Sequence, residues 1–212
     1  MDQRYRRMPS INLELADYRR RVAEIYARAR DTRISPETRW REFRIDQDDL
    51  FKTHPQTALN PDQIANFTSL RYYPYNPAMR FVVPVEKTGD QEVIRVELRD
   101  DGLTRMQPIG SISFEVNGQD ISLTLFWITG YGGGIFLPFR DMTNATDTYA
   151  GGRYLLDTIK GADLGREGDQ LVIDFNFAYN PSCAYNDRWS CPLPPPENSL
   201  PIPIQAGEMR FE

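Results

Sequence analysis

The chain has 212 residues, 40% of them hydrophobic and 26% charged, the make-up of a globular protein long enough to bury a core without disulfides or metals. Two cysteines and one histidine exclude a four-cysteine zinc site, a two-histidine zinc protease motif and an iron–sulfur ligand set. No apolar run approaches the ~18 residues of a membrane-spanning helix, and Met1 to Ser10 is arginine-rich with no apolar stretch behind it, so neither membrane insertion nor a signal peptide is expected and the chain reads as cytoplasmic.

The net charge of −5 is unevenly spread: residues 1–44 carry 12 Arg and 7 acidic groups, the remainder 13 basic and 23 acidic. Clustered arginines can recruit phosphates, but here they alternate with Glu14, Asp17, Glu24, Asp31, Glu37 and Glu42, the pattern of a solvated helix face. Nucleic acid is therefore disfavoured as a partner.

Ile11, Leu15, Tyr18, Val22, Ile25 and Ala29 recur at intervals of four and three, which predicts a helix over 12–30. Ser35 as N-cap and Pro36 at the first helical position open a second helix with Trp40, Phe43, Leu50 and Phe51 on its apolar face, stopping before His54-Pro55. Asn60-Pro61-Asp62-Gln63 repeats the signal with a capping box and predicts a short third helix.

From residue 67 the period changes to two. Strands are expected at 68–73, 79–86, 92–99, 103–107, 110–117, 120–129, 135–139, 153–160 and 170–178, with turns at Gly89-Asp90, Asp100-Asp101-Gly102, Asn117-Gly118 and the glycines of 130–134. Asn117-Gly118 supplies the two positive-φ residues of a type I′ hairpin. The expected fold is mainly β (α+β), an antiparallel meander or barrel of eight or nine strands; there is no βαβ alternation. Residues 179–204 include nine prolines and cysteines and predict an extended C-terminal wrap. The organisation expected is thus one domain, 1–212, with a helical segment at 10–66, a β-barrel or sandwich at 67–178 and the wrap at 179–212.

Gly130-Tyr-Gly-Gly-Gly134 lacks the spacing of a phosphate loop and is followed by a strand pattern, so it reads as a turn. Its echo at Tyr149-Ala-Gly-Gly-Arg-Tyr154 suggests two turns flanking one pocket mouth, with Arg140 and Arg153 as anion clamps. Asp141 to Asp147 is rich in oxygen ligands but lacks calcium-loop spacing, and no metal site is expected. Cys183 and Cys191 would gain about 2.5 kcal/mol from a disulfide by chain entropy alone, but a reducing cytosol keeps them as thiols. Acid–base chemistry would have to use His54, the one histidine, or a strand carboxylate such as Asp174; period two puts Asp174, Asn176 and Ala178 on one face and Ile173, Phe175 and Phe177 on the other. Burial of that polar face would raise the Asp174 pKa.

Leu125-Phe-Trp-Ile-Thr-Gly-Tyr-Gly-Gly-Gly134, Phe136-Leu-Pro-Phe-Arg-Asp141, Thr148-Tyr-Ala-Gly-Gly-Arg-Tyr-Leu155, Asp174-Phe-Asn-Phe-Ala-Tyr-Asn-Pro-Ser-Cys-Ala-Tyr185 and Cys191-Pro-Leu-Pro-Pro-Pro-Glu-Asn198 together resemble the domain of unknown function 1684 family of bacterial and archaeal proteins. The resemblance runs from the first helix and Trp40 to Gln205-Ala-Gly-Glu208. It implies a single compact domain without an assigned cofactor and carries over no catalytic residues. One departure is Ala150, where the family pattern has a third glycine.

Two functions fit these residues. In one, a small anionic molecule is bound, with or without chemistry, at the mouth of a β-barrel: Arg140 and Arg153 clamp it, Tyr149, Asn176, Asn180 and Tyr185 orient it, and His54 or Asp174 acts as acid or base. In the other, the barrel is filled and the chain is a non-catalytic protein-protein interaction module. No cofactor is expected in either, and the oligomeric state is open.

Overall fold

The computed structural model describes residues 8–87, 89, 94–98 and 102–212. Helix α1 (Met8–Ala29) buries Val22, Ile25, Tyr26 and Ala29, the three- and four-residue spacing that makes one apolar stripe. Helix α2 (Pro36–Thr53) begins on its cap: Ser35 Oγ accepts from the Thr38 amide at 3.3 Å and Pro36 is the first helical residue. It ends at His54, whose amide donates to the Leu50 carbonyl at 3.1 Å, because Pro55 has no amide to carry the ladder on. Helix α3 (Pro61–Asn66) has the full capping box, Asn60 and Gln63 exchanging two hydrogen bonds of 2.8 Å.

Two antiparallel sheets follow. The smaller contains β1 (Arg80–Val83), β8 (Arg166–Glu167) and β9 (Gln170–Asp174), in the order β1-β9-β8. The larger contains β2 (Glu86–Lys87), β3 (Ile94–Leu98), β4 (Gly102–Val116), β5 (Gln119–Ile128), β6 (Gly134–Phe139) and β7 (Arg153–Asp157), in the order β2-β4-β5-β6-β7, with β3 also on β4. Strands β4 to β7 form a meander, and neither sheet closes on itself among the described residues; the fold is mainly β, and its sheets are open rather than a barrel. The β4–β5 hairpin turns at Asn117 (φ 52°) and Gly118 (φ 78°), placing Val116 opposite Gln119, as the Asn-Gly signal predicts.

Strand β9 shows how the layers stack. Leu171 and Ile173 face the large sheet and share a core with Ile112, Phe114, Leu123 and Leu125. Val172, on the opposite face, packs with Tyr26, Trp40 and Phe43 of the helices. The small sheet is thus sandwiched between helices and large sheet, which is why β9 reads as an unbroken apolar run rather than an alternation. The expected barrel interior is replaced by this filled space between two sheets.

Several expected boundaries move, each for a local reason. The strands expected at 103–107 and 110–117 are one strand, β4, with a register shift between Pro108 and Gly110; a bulge lets the ladder pass a residue without an amide proton. The strand expected at 68–73 is an extended segment with a single bridge, Tyr72 to Glu208, because its partner is the short C-terminal stretch 207–209. The strand expected at 79–86 stops at Val83, before Pro84. That expected at 153–160 stops at Asp157, whose amide turns to the Ala162 carbonyl at 2.9 Å. That expected at 170–178 stops at Asp174, which caps a 3₁₀ turn over Phe175–Phe177, so the alternating faces expected for 174–178 do not exist. Of the expected turns, Asp90, Asp100 and Asp101 lie outside the described residues, as do 92, 93 and 99 of the strand expected at 92–99.

One buried ion pair ties the layers to the C-terminal wrap. Arg153 on β7 and Asp141 just after β6 meet at 2.9 Å with both side chains fully enclosed. The Arg153 guanidinium also donates to the carbonyls of Ile204 (2.9 Å), Ala206 and Glu208 (3.2 Å). Asp141 in turn accepts from the Thr143 amide (2.8 Å), the Thr143 hydroxyl (2.6 Å) and the Ile204 amide (3.2 Å). Removing one partner of such a pair strands the other charge out of water. Asp141→Ala is expected to lower unfolding free energy by about 3–5 kcal/mol in urea denaturation, whereas Arg20→Ala, which breaks the exposed pair with Asp17, is expected to stay within about 1 kcal/mol of the wild type.

Candidate functional site

A cavity of about 320 Å³ lies between α1, the segment around Leu70 and Tyr72, and the wrap from Tyr179 to Cys191. Its position follows from the amphipathic stripe of α1: Tyr18, Val22 and Tyr26, one helical turn apart, form one wall. Phe51, Leu70 and Ala162 add apolar surface, and Tyr72, Tyr179, Tyr185 and Trp189 add aromatic rings. Arg19 and Lys160 are the cations along the lining; Lys160 is 3.3 Å from Asp157.

Glu208 reaches the cavity as its one lining carboxyl and is 2% exposed. It is delivered there by Gly207, which sits at φ 79° with a Cβ position 2.5 Å from the Phe175 carbonyl oxygen, so only glycine fits. One Glu208 oxygen accepts from the Asn180 amide at 2.9 Å and the other from the Tyr185 hydroxyl. Burial pushes its pKa from 4.5 to about 7, against the lowering effect of those hydrogen bonds and of Arg153. A carboxyl titrating there can hold or release a proton at neutral pH. Burial also raises the pKa of Tyr26, Tyr72, Tyr179 and Tyr185, so these remain neutral hydroxyls.

Four buried polar atoms on the lining have no hydrogen-bond partner among the described residues: the hydroxyls of Tyr26, Tyr72 and Tyr179, and Asn180 Oδ1. Leaving such an atom unsatisfied away from water costs about 1–3 kcal/mol. The residues that carry them line one largely apolar cavity together with one titratable carboxyl.

The residues singled out from sequence are distributed differently. Asn180 and Tyr185 line the cavity. Asp174 and Asn176 form a separate network: Asn176 Nδ2 donates to Asp174 Oδ1 and to the Asn76 carbonyl, and its Oδ1 accepts from the Asn76 amide, all at 2.8 Å. Burial raises the Asp174 pKa to about 6, opposed first by the Asn176 hydrogen bonds and then by Arg80 and Arg39. His54 is buried at the α1–α2 contact; its Nδ1 accepts from the Gln56 amide at 3.0 Å, leaving Nε2 to donate to Asp17 Oδ2 at 3.3 Å. Arg153 is neutralised by Asp141, so it has no open face with which to clamp an anion. Arg140 joins the wrap through its backbone, exchanging hydrogen bonds of 2.8 Å with Asn198 and Leu200. The Tyr149 hydroxyl donates to Cys183 Sγ at 3.6 Å, and Cys183 is hydrogen-bonded to Cys191, which raises the Cys191 pKa. Neither glycine-rich turn lines the cavity, so the cavity beneath α1 and the mouth expected between those turns are different places.

Glu208, Tyr26 and Tyr72 were not legible as site residues. Glu208 follows Pro201-Ile-Pro-Ile-Gln-Ala-Gly207 with no spacing motif, and an acid behind a glycine in an apolar run was its only signal. Among the described residues no group of three or more His, Cys, Asp and Glu side chains is placed to hold a metal, and no helix is long and apolar enough to cross a membrane.

A family model described as "Protein of unknown function (DUF1684)" matches residues 65–209, the stretch that carries Tyr72, Tyr179, Tyr185 and Glu208. Among solved structures, the chain is similar to the solution NMR structure of the uncharacterized protein from gene locus rrnAC0354 of Haloarcula marismortui, with 33% identity, coverage of 82% of this chain and 93% of that one, and a TM-score of 0.59. No curated protein matches the chain.

The Glu208 environment has a pH signature. Its carboxyl binds a proton more tightly folded (pKa about 7) than in the free state (4.5), so its contribution favours folding at low pH and is lost as pH rises through about 7. Stability of the wild type relative to Glu208→Gln is expected to fall between about pH 4.5 and 7.5, by on the order of 3 kcal/mol. Urea titrations at a series of pH values check this; parallel curves for the two proteins would contradict it.

Proposed function

The chain belongs to the DUF1684 family, and we propose that it binds a small molecule in the cavity beneath α1. The observation that carries this reading is a largely apolar cavity whose walls bring together the buried carboxyl of Glu208, Asn180 and the rings of Tyr26, Tyr72 and Tyr179; each of the last four also carries a buried oxygen that the fold leaves unpaired. A structural core would pair such atoms or replace them with phenylalanine and leucine.

The cavity volume, about 320 Å³, lies at the small end of ligand pockets and suits a molecule built on one ring or a short branched chain. The polar end of that molecule meets Glu208, Asn180 and the tyrosine hydroxyls, and its apolar body meets Val22, Leu70 and Ala162. This places recognition on α1 and the wrap rather than on Arg140 and Arg153.

A thermal-shift screen of small metabolites against the wild type and two variants tests the reading. Leu15→Trp, at a half-exposed lining position, is expected to fold normally but abolish every shift. Tyr179→Phe removes a hydroxyl with no partner, so it is expected to keep or gain up to about 1 kcal/mol of stability while weakening binding about tenfold. Shifts that survive Leu15→Trp would place the ligand elsewhere, and a Tyr179→Phe protein destabilised by more than about 2 kcal/mol would mean that its hydroxyl is structural.

A further inference from the structure

Resting on that binding reading, we propose that the cavity takes a small organic cation, an amine or quaternary ammonium on a single-ring or branched aliphatic body, with Glu208 as its counter-charge.

The argument begins with charge. Glu208 is enclosed, and both its oxygens are held by neutral donors, the Asn180 amide and the Tyr185 hydroxyl. The guanidinium nearest to it belongs to Arg153 on β7, and its nitrogens are directed at Asp141 and at main-chain carbonyls, that of Glu208 among them. From α1 the facing groups are Tyr18, Tyr26 and the exposed Arg19; from α2, the neutral Gln47; from the 70–72 segment, Tyr72; on the opposite side of Glu208 lie Asp62, Arg71 and Glu212, of which Arg71 is half-exposed and paired with Glu212. From the turn after β7 comes Lys160, opposed by Asp157, and from the wrap come Tyr179, Tyr185 and the Cys191 thiol. The tyrosines and the Cys191 thiol are all held neutral by raised pKa values. Glu208 is therefore a buried acid without an enclosed partner cation of its own, a condition that a bound cation relieves.

The unpartnered atoms have the matching polarity. Asn180 Oδ1 can only accept, which suits a head group rich in N–H or polarised C–H donors, whereas the three tyrosine hydroxyls can donate or accept and are compatible with it. Around them stand aromatic rings whose faces attract cations, an attraction that grows as water is excluded. Burial and, after it, the charge of Glu208 raise the pKa of Tyr18, Tyr72 and Tyr185, so the ionised Glu208 carboxylate disfavours further negative charge beside it. An anionic head group at the same place would meet that charge, and its only favourable cations, Arg19 and Lys160, are respectively exposed and paired, where their charge is screened.

Isothermal titration of the full chain with four probes of one body size decides the matter: benzyltrimethylammonium, benzylamine, benzyl alcohol and phenylacetate. Benzyltrimethylammonium carries a fixed charge, so the pH dependence of its binding reports the protein alone. Both cations are expected to bind at least about tenfold more tightly at about pH 8.5 than at about pH 5.5, as Glu208 gives up its proton. Glu208→Gln, which keeps the shape, is expected to remove that pH dependence and weaken the cations at least about tenfold at the higher pH; its cooperative melting serves as the folding control. If benzyl alcohol or phenylacetate binds as tightly as the cations at both pH values, the cationic assignment is overturned while binding in the cavity stands. If none of the four binds, the assignment also fails, and whether the cavity binds anything then rests on hits sensitive to Leu15→Trp. A pH dependence that persists in Glu208→Gln overturns the role given to that carboxyl.

Discussion

The buried pairing of Arg153 with Asp141 is the constraint on which the rest of the architecture turns. The wrap has no ladder of its own to hold it. Its last part is held by scattered main-chain hydrogen bonds, such as those between 71–73 and 207–209, and by one guanidinium reaching the carbonyls of residues 204, 206 and 208. Those positions are two apart because an extended chain presents alternate carbonyls to the same side. The guanidinium is positioned by β7, and its charge is held by a carboxylate at the exit of β6. Neighbouring strands of the large sheet thereby dictate the course of the C-terminal residues, and with them where Ile202 and Ile204 enter the space between the sheets.

The cavity is a consequence of the same arrangement. With Ala206 held, the chain turns at Gly207, where the approach of the Phe175 carbonyl leaves no room for a side chain, and Glu208 is carried under α1. There it meets tyrosines from three parts of the chain, Tyr26 on α1, Tyr72 ahead of β1 and Tyr185 in the wrap. Tyrosine combines apolar bulk with a hydroxyl at its tip, and here the rings of Tyr26 and Tyr72 pack against Phe43 and that of Tyr185 against Phe51. A cluster of this kind gives up stability relative to phenylalanine wherever a hydroxyl lacks a partner. Such local sacrifice is characteristic of sites that hold something other than the protein itself.

Legibility in the sequence tracked the range of the interaction responsible. The starts of α2 and α3 were readable because a cap and a proline act within four residues, and so was the β4–β5 hairpin, because Asn117 and Gly118 adopt positive φ on their own account. The end of β9 was not: Ile173, Asp174 and Phe175 continue a strand-like alternation, and only the Asp174 side chain, accepting from the Asn176 amide at 3.0 Å, turns the backbone into a 3₁₀ turn. Residues 68–73 have a composition that suits a strand, yet their partner is a three-residue stretch more than a hundred positions away. Of the cavity lining, Asn180 and Tyr185 are legible as orienting hydrogen bonders, because an amide and a phenol stand where the strand pattern gives way to the wrap. Glu208 is not, because nothing within ten residues distinguishes it from a surface acid, and its burial depends on Arg153, Gly207 and α1 together.

The two acids near Arg153 divide its charge unequally, and that division links the scaffold to the site. Asp141 takes a direct ion pair at 2.9 Å, while Glu208 receives a hydrogen bond through its backbone carbonyl and only the more distant attraction of the guanidinium on its carboxyl. Burial dominates at Glu208, opposed first by its hydrogen bonds and last by the Arg153 guanidinium, and its titration moves up to about 7. The guanidinium that anchors the C-terminal residues thus also bears on the carboxyl they deliver, and the stability of the wrap and the chemistry of the cavity cannot be varied independently through Arg153.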